Sequence, residues 1–235
     1  MIAVFAYHSV SDIDYIYAIS PADFEQQLAY IKENFKITSL SEFEALLKAG
    51  QMPKQNMALI TFDDGLKDNY KYAFPILKKL GIPATIFLTT GSVGGSFQTR
   101  AGELEALDWR EVKDMHESKI ITFANHTHSH PDLTLVSESH LDDEFNTSSS
   151  LIQNNLGFRP TALAYPKGKF NLSVQRTAEK YFFLAFGNIG VILDAKNIDM
   201  FAIPRIIIST LIPRWKFKLF KFPLYWKLKS IFGTK

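Results

Sequence analysis

An α/β fold of parallel strands arranged as a barrel is predicted by three observations. Short apolar runs alternate with segments that carry helix periodicity and helix start signals through most of the chain. Several of these runs end in polar residues: Ile2–Tyr7 at His8, Met57–Phe62 at Asp63-Asp64-Gly65, Ile120–Ala124 at Asn125 to His130, and Thr161–Tyr165 at Pro166-Lys167-Gly168. Such endings meet on one rim only when the strands are parallel neighbours, and a closed or nearly closed barrel satisfies this most simply.

The elements follow in order. Ile2–Tyr7 is a buried strand. Ser20 caps a helix, with Pro21 at its first position, running to about Asn34 with Phe24, Leu28 and Ile31 on one face. Ile37-Thr38 is a short strand, and a second helix runs from Ser41 to near Gly50. Met57–Phe62 is the central strand. A helix starting at Asp68 or Asn69 stops at Gly81, and Pro83–Leu88 is another strand. Gly91–Gly102, rich in Gly and Ser, reads as a long surface loop. Asp108 opens a helix to Glu117, Ile120–Ala124 is a strand, and Ser137–Leu156 is a long helix. Thr161–Tyr165, a helix Leu172–Lys180, and late strands Phe182–Phe186 and Ala202–Ile208 complete the pattern. We read one domain over residues 1–210 and a basic aromatic tail over 211–235.

The 235 residues are 46% hydrophobic and 21% charged, an ordinary globular composition. The absence of cysteine excludes disulfides and thiolate metal sites, so any metal must be held by His and carboxylate. The amino terminus lacks a basic region and a cleavage site, and no apolar run is long enough to span a bilayer, so the expectation is a cytoplasmic protein. The net charge of +2 hides an asymmetry: residues 213–235 hold seven Lys/Arg, seven aromatics and no acid, leaving the body net acidic. Such a segment suits peripheral contact with an anionic lipid surface, here the inner face of the membrane. The acidic body argues against nucleic acid as a partner. The oligomeric state is not legible.

Asp63 and Asp64 follow a buried strand, and folding adjacent carboxylates into one cleft costs energy unless a cation or proton takes up the charge. Three of the six histidines fall within His126–His130. His126 and His130 share a face on a helical turn, whereas His126 and His128 share one in an extended chain, and spacing leaves both pairs open. One Asp with two His suits Zn²⁺ with open positions and tolerates Mn²⁺, Co²⁺ or Ni²⁺. The second aspartate is then free to act as a base. His116 and His140 sit in polar helices and are expected to be solvated.

Thr61-Phe62-Asp63-Asp64-Gly65, His126-Thr127-x-x-His130-Pro131 and Tyr165-Pro166-Lys167-Gly168 resemble the first three motifs of the polysaccharide deacetylase family, the NodB homology domain of carbohydrate esterase family four. Tyr7-His8-Ser9, Gln26-Gln27-Leu28, Ile37 to Phe43 and Pro204-Arg205-Ile206 are similar to its poly-N-acetylglucosamine deacetylase branch. The resemblance implies a distorted (β/α)₇ barrel and metal-dependent removal of N-acetyl groups from N-acetylhexosamine units of a polysaccharide or lipid-linked glycan precursor. It makes Asp63 the catalytic base, and Asp64, His126 and His130 the metal ligands, so that His128 is not one. It places the Lys167 backbone N–H on the reaction's oxyanion, between Pro166 and Gly168, with Tyr165 lining the acetyl or sugar pocket and Trp109 walling it.

Two parts of the family pattern are missing. No histidine follows His140 to serve as the late acid, and Ala164 stands where the base-orienting arginine belongs. Arg205 could supply the charge beside Asp63, and His8 the acid. A metal-dependent amidase acting on a non-sugar amide, or a weakened glycan-binding module, are the alternatives these gaps leave.

Overall fold

The computed structural model describes the chain except residues 52, 100–101, 188–197, 223–224 and 226–235. Its core is an eight-stranded parallel sheet of β1 (Ile2–Tyr7), β2 (Lys36–Thr38), β3 (Met57–Phe62), β4 (Ala84–Leu88), β5 (Ile121–Asn125), β6 (Ala162–Ala164), β7 (Leu184–Phe186) and β8 (Ile206–Ile207). The order is β7-β6-β5-β4-β3-β1-β8, with β2 beside the first half of β3. Ile203 bridges Phe186 of β7, and Ile206 and Ile207 pair with Phe5 and Ala6 of β1. One late segment therefore ties the two edges of the curled sheet together. Of the strand expected over Ala202–Ile208, only β8 and this bridge are regular.

Among the described residues seven helices accompany the strands: α1 (Pro21–Asn34), α2 (Leu40–Lys48), α3 (Phe74–Leu80), α4 (Trp109–Glu117), α5 (Glu138–Leu156), α6 (Leu172–Ala178) and α7 (Arg214–Phe217). Their starts obey local chemistry. Ser20, Ser39, Asp108, Ser137 and Asn171 each accept a first-turn N–H, and Ser39 with Glu42 and Asp108 with Glu111 form capping boxes. α3 is entered through a π-helical turn, Asn69–Ala73, and ends at left-handed Gly81.

Strand alternation sorts the core into layers. Ile2, Val4, Leu59, Phe87, Ala124, Ala164, Phe186 and Ile203 form the inner cluster, and the residues between them face outward onto the helices. Leu40 and Phe43 of α2 join the inner cluster, while Glu44 accepts the Thr161 hydroxyl just before β6, so α2 plugs the amino-terminal end. Buried on both faces, these strands read as continuous apolar runs.

Gly91–Gly102 is not a plain loop. Ser96–Thr99 and Gly102–Glu105 pair as an antiparallel hairpin. At the carboxyl end, Phe217 and Phe220 are buried against Phe5 in the outer layer, whereas Trp215 is 67% exposed. The beginning of the expected tail thus packs onto the barrel, and its last ten residues lie outside the described ones. His116 is not simply solvated: its ring stacks on Phe158 at 5.1 Å. His140 is exposed, as expected.

Candidate active site

Register brings the site together. Tyr7 pairs with Phe62, and Phe62 with Ile86, two residues before Leu88, which pairs with Asn125; His8 and Asp63 therefore leave their strands on one rung and His126 two residues further along, all at the carboxyl rim. The Asp63 N–H donates to the Tyr7 carbonyl at 3.0 Å and the His126 N–H to Leu88 at 3.1 Å. Both side chains therefore start from the last rungs of a buried ladder. After Asp63 the chain turns sharply, with left-handed φ of 71° at Asp64 and 78° at Gly65. A Cβ on Gly65 would lie 2.4 Å from Leu88 Cδ1, so only glycine lets the turn pack against β4.

Asp64, His126 and His130 form the cluster. Each histidine Nε2 lies 3.5 Å from Asp64 Oδ1, and the three candidate ligand atoms are all within 4.8 Å of one another. Metal–ligand bonds of about 2.1 Å in tetrahedral array separate ligands by about 3.4 Å, so the donor set and spacing fit a divalent cation. The Ala164 carbonyl accepts from His126 Nδ1 at 2.8 Å; a carbonyl cannot donate, so the proton sits on Nδ1 and Nε2 is turned to the cluster. Burial, with help from His126, pushes His130 down to about 4, which keeps it neutral and able to ligate. Burial also opposes charge on His126, but Asp63 and Asp64 outweigh it and raise its pKa. His128 lies apart from the cluster, bonded through Nδ1 to the Thr90 hydroxyl at 3.1 Å.

Asp63 lies beside this cluster and is held separately. Arg205 donates to both its oxygens, Nη1 to Oδ1 at 2.6 Å and Nη2 to Oδ2 at 2.8 Å, with Arg205 0% and Asp63 2% exposed. Burial alone would raise the Asp63 pKa; the Arg205 charge, with His126 and His8, overrides it and holds the carboxyl far below the usual carboxylate range. The guanidinium on Asp63 thus comes from Arg205, just before β8, and not from the position of Ala164. His8 Nε2 is 3.9 Å from Asp63 Oδ2, and its ring stacks on Tyr17 at 4.8 Å.

These groups floor a cleft of about 650 Å³. Lys167 lines it, exposed and left-handed at φ 60°, beside buried Pro166 and left-handed Gly168. Two expected wall residues lie elsewhere. Tyr165 alternates with Ala164 along the chain and therefore faces the outer layer, where it stacks on Phe170 and donates to the Phe201 carbonyl. Trp109, the first residue of α4, packs half-buried against the outer core. The walls come instead from Tyr15, Tyr17, Phe97, Thr99, Ser209 and Leu211. Phe97, from the hairpin, meets the His130 ring edge-on at 4.9 Å. The only sequence signal for this wall was the Ser-Phe-Gln-Thr alternation before Gly102. Nothing local announced Tyr15 or Leu211, which line one cleft; their segments are joined by the Thr210 N–H donating to the Ile16 carbonyl.

Fold and rim together define an α/β-barrel protein with a hydrolase-type polar site at the carboxyl ends of its strands. A family model described as polysaccharide deacetylase matches residues 50–184. A poly-beta-1,6-N-acetyl-D-glucosamine N-deacetylase of Staphylococcus aureus is 31% identical over 221 residues, covering 85% of this chain and 72% of that one. A putative polysaccharide deacetylase of Bacillus subtilis, YxkH, is 29% identical, covering 75% of this chain and 60% of that one. Among solved structures, the Streptococcus pyogenes deacetylase PplD, in complex with acetate, superposes with a TM-score of 0.79 at 26% identity, covering 92% of this chain and 95% of that one. IcaB from Ammonifex degensii shares the fold with a TM-score of 0.81 at 24% identity, covering 94% and 96%. The chain belongs to the polysaccharide deacetylase family.

Proposed function

We propose that this protein is a metal-dependent de-N-acetylase acting on N-acetylhexosamine units of a glycan. The observation that carries the reading is the pairing of an Asp64–His126–His130 cluster with a separate, arginine-held carboxylate, Asp63, on one cleft floor. The family and the named activity of the S. aureus relative point to poly-N-acetylglucosamine as the substrate.

A divalent cation held by Asp64, His126 and His130 would supply Lewis acidity to the acetamide carbonyl and to water. Hydrolysis forms a bond from water oxygen to the acetyl carbon and breaks the carbon–nitrogen bond, and the amine leaves with a proton. Asp63 receives the water's proton, and Arg205 fixes the direction of its lone pairs. Asp63 is restored for another turnover only when that proton passes on, and the leaving amine needs one. We assign its delivery to the amine to His8, whose Nε2 lies 3.9 Å from Asp63 Oδ2. The Lys167 backbone N–H serves the oxyanion. With Arg205 clamping Asp63, the arginine missing from the third motif no longer argues for a weakened binding module.

Acetate release from N-acetylated β-1,6-linked glucosamine oligomers, measured with and without chelator, tests the reading. Release that chelator abolishes and Zn²⁺ or Co²⁺ restores is expected; none from any oligomer would overturn it. Turnover of small non-sugar amides with oligomers inert would favour the amidase. His8→Ala is expected to lower kcat about 10²-fold, and unchanged turnover would remove His8 from the mechanism.

The finer reading places the protein at an anionic lipid surface. Ile16 and Leu211, the latter 72% exposed, sit at the cleft mouth, with exposed Trp215 and the cations Arg214, Lys216 and Lys218 close by in sequence. This supports a lipid-linked or surface-glycan substrate presented at a membrane's inner face. Sedimentation with anionic vesicles tests it, and equal recovery with neutral ones would count against it.

A further inference from the structure

We infer that Glu144 is a positioning residue that holds His130 in metal-binding geometry beside His126; the inference rests on the metal-binding part of the reading above. The His126–His130 loop contains two left-handed residues that carry a Cβ, Thr127 at φ 69° and His130 at φ 57°. Such a loop does not hold its own shape and must be constrained from outside. Asn125 Oδ1 accepts the Thr127 N–H at 2.7 Å, and Thr127 Oγ1 accepts the His130 N–H at 3.1 Å. Across the loop, Thr90 and Gly91 donate to the carbonyls of Thr127 and His128 at 3.2 and 2.8 Å.

That leaves the two amides at the tip, and one carboxylate takes both. Glu144 Oε2 accepts from the His128 N–H at 2.7 Å and the Ser129 N–H at 2.8 Å, while Oε1 accepts the Ser129 hydroxyl at 2.6 Å. Glu144 rides on α5, which is anchored by buried Leu141, Phe145 and Ile152. The same helix receives the Asn125 amide at Ser149 Oγ, 3.0 Å. The two histidines depend on this clamp unequally. His126 is fixed by the β4 ladder and the Ala164 carbonyl. His130, with its side chain 17% exposed against 2% for His126, is aimed by the loop and the edge of Phe97. Releasing the tip therefore frees His130 and leaves Asp64 and His126 in place.

The test is metal affinity of the full-length protein, measured for Zn²⁺ by competition with a chromophoric chelator and for Co²⁺ by its visible absorption. Glu144→Ala is expected to weaken Zn²⁺ binding about 10–100-fold and to change the Co²⁺ spectrum. Glu144→Gln is expected to restore affinity to within roughly threefold, because its amide oxygen can accept both N–H groups while its NH₂ donates to the Ser129 hydroxyl. Asp143→Asn, which removes a charge from an exposed neighbour, is expected to bind like wild type. Wild-type affinity in Glu144→Ala, or an equal loss in Asp143→Asn, would overturn the positioning role. Should Glu144→Ala fail to fold by circular dichroism, Glu144→Asp, one methylene too short to reach both amides, decides: weaker binding in a folded protein supports the clamp, and unchanged binding overturns it. Wild-type protein that takes up neither metal would instead overturn the metal reading itself.

Discussion

In the turn after β3, Asp63 is held by an arginine 142 positions later in the chain, whereas the loop after β5 takes its side-chain braces from residues no more than 38 positions away. The first arrangement is a buried, bidentate ion pair between distant strands. The second is a set of neutral and single-charge hydrogen bonds from a neighbouring turn and helix. The difference separates two tasks. A carboxylate that must stay charged in a buried site needs a full opposing charge, which local chain seldom supplies. A loop that must hold neutral ligands needs only shape, and nearby backbone and side chains supply that.

The largest effect is expected where the long-range pair is broken. Arg205→Met strands a buried charge and should cost about 3–5 kcal/mol by urea unfolding, with loss of acetate release. Arg205→Met combined with Asp63→Leu should recover most of the stability and none of the activity. A single variant as stable as wild type would show that the pair is not the constraint described here. Next is the turn itself. Gly65→Ala places a methyl 2.4 Å from Leu88 Cδ1 at φ 78°, and a loss of about 1–3 kcal/mol is expected in the same measurement.

The local arrangement is probed more gently by pH. His126 has a raised pKa, so without a cation it holds a proton to higher pH than an ordinary histidine, and a cation must displace that proton. Zn²⁺ affinity should therefore fall as pH drops through and below neutrality and level off on the alkaline side. An affinity flat between pH 5 and pH 8, as measured by calorimetry, would show that His126 does not ligate. The smallest effect belongs to Tyr165→Phe. It removes one buried hydrogen bond to Phe201, and a loss of about 1 kcal/mol with unchanged KM is expected. A raised KM would return Tyr165 to the substrate pocket.

Much was legible in the sequence because it rests on local rules. Ser20-Pro21 and Asp108-x-x-Glu111 signalled helix starts, and every strand of the inner core was visible as an apolar run. The Asp-Asp-Gly stop and the histidine cluster marked the rim. What misled the reading of Tyr165 was its place beside a motif: strand alternation, not proximity in sequence, decides which layer a side chain enters. Trp109 was misplaced for a similar reason, since a helix start aims its first residue by the packing of the whole helix. The hairpin carrying Phe97 escaped notice because Gly and Ser dominate the preceding residues and only four-residue strands follow.

The chain by itself determined the alternation of strands and helices, the carboxylates and histidines available to the site, and the need for a cation or proton between them. These follow from side-chain period, capping chemistry and charge, all of which act over a few residues. The resemblance named Arg205, His126 and His130, but the tertiary structure is what brings Arg205 onto Asp63 and both histidines onto Asp64, and it alone decided which surfaces wall the cleft. Each of those is a meeting of segments far apart in sequence. Strand register and the return of β8 against β1 fix such meetings, and no local pattern encodes them.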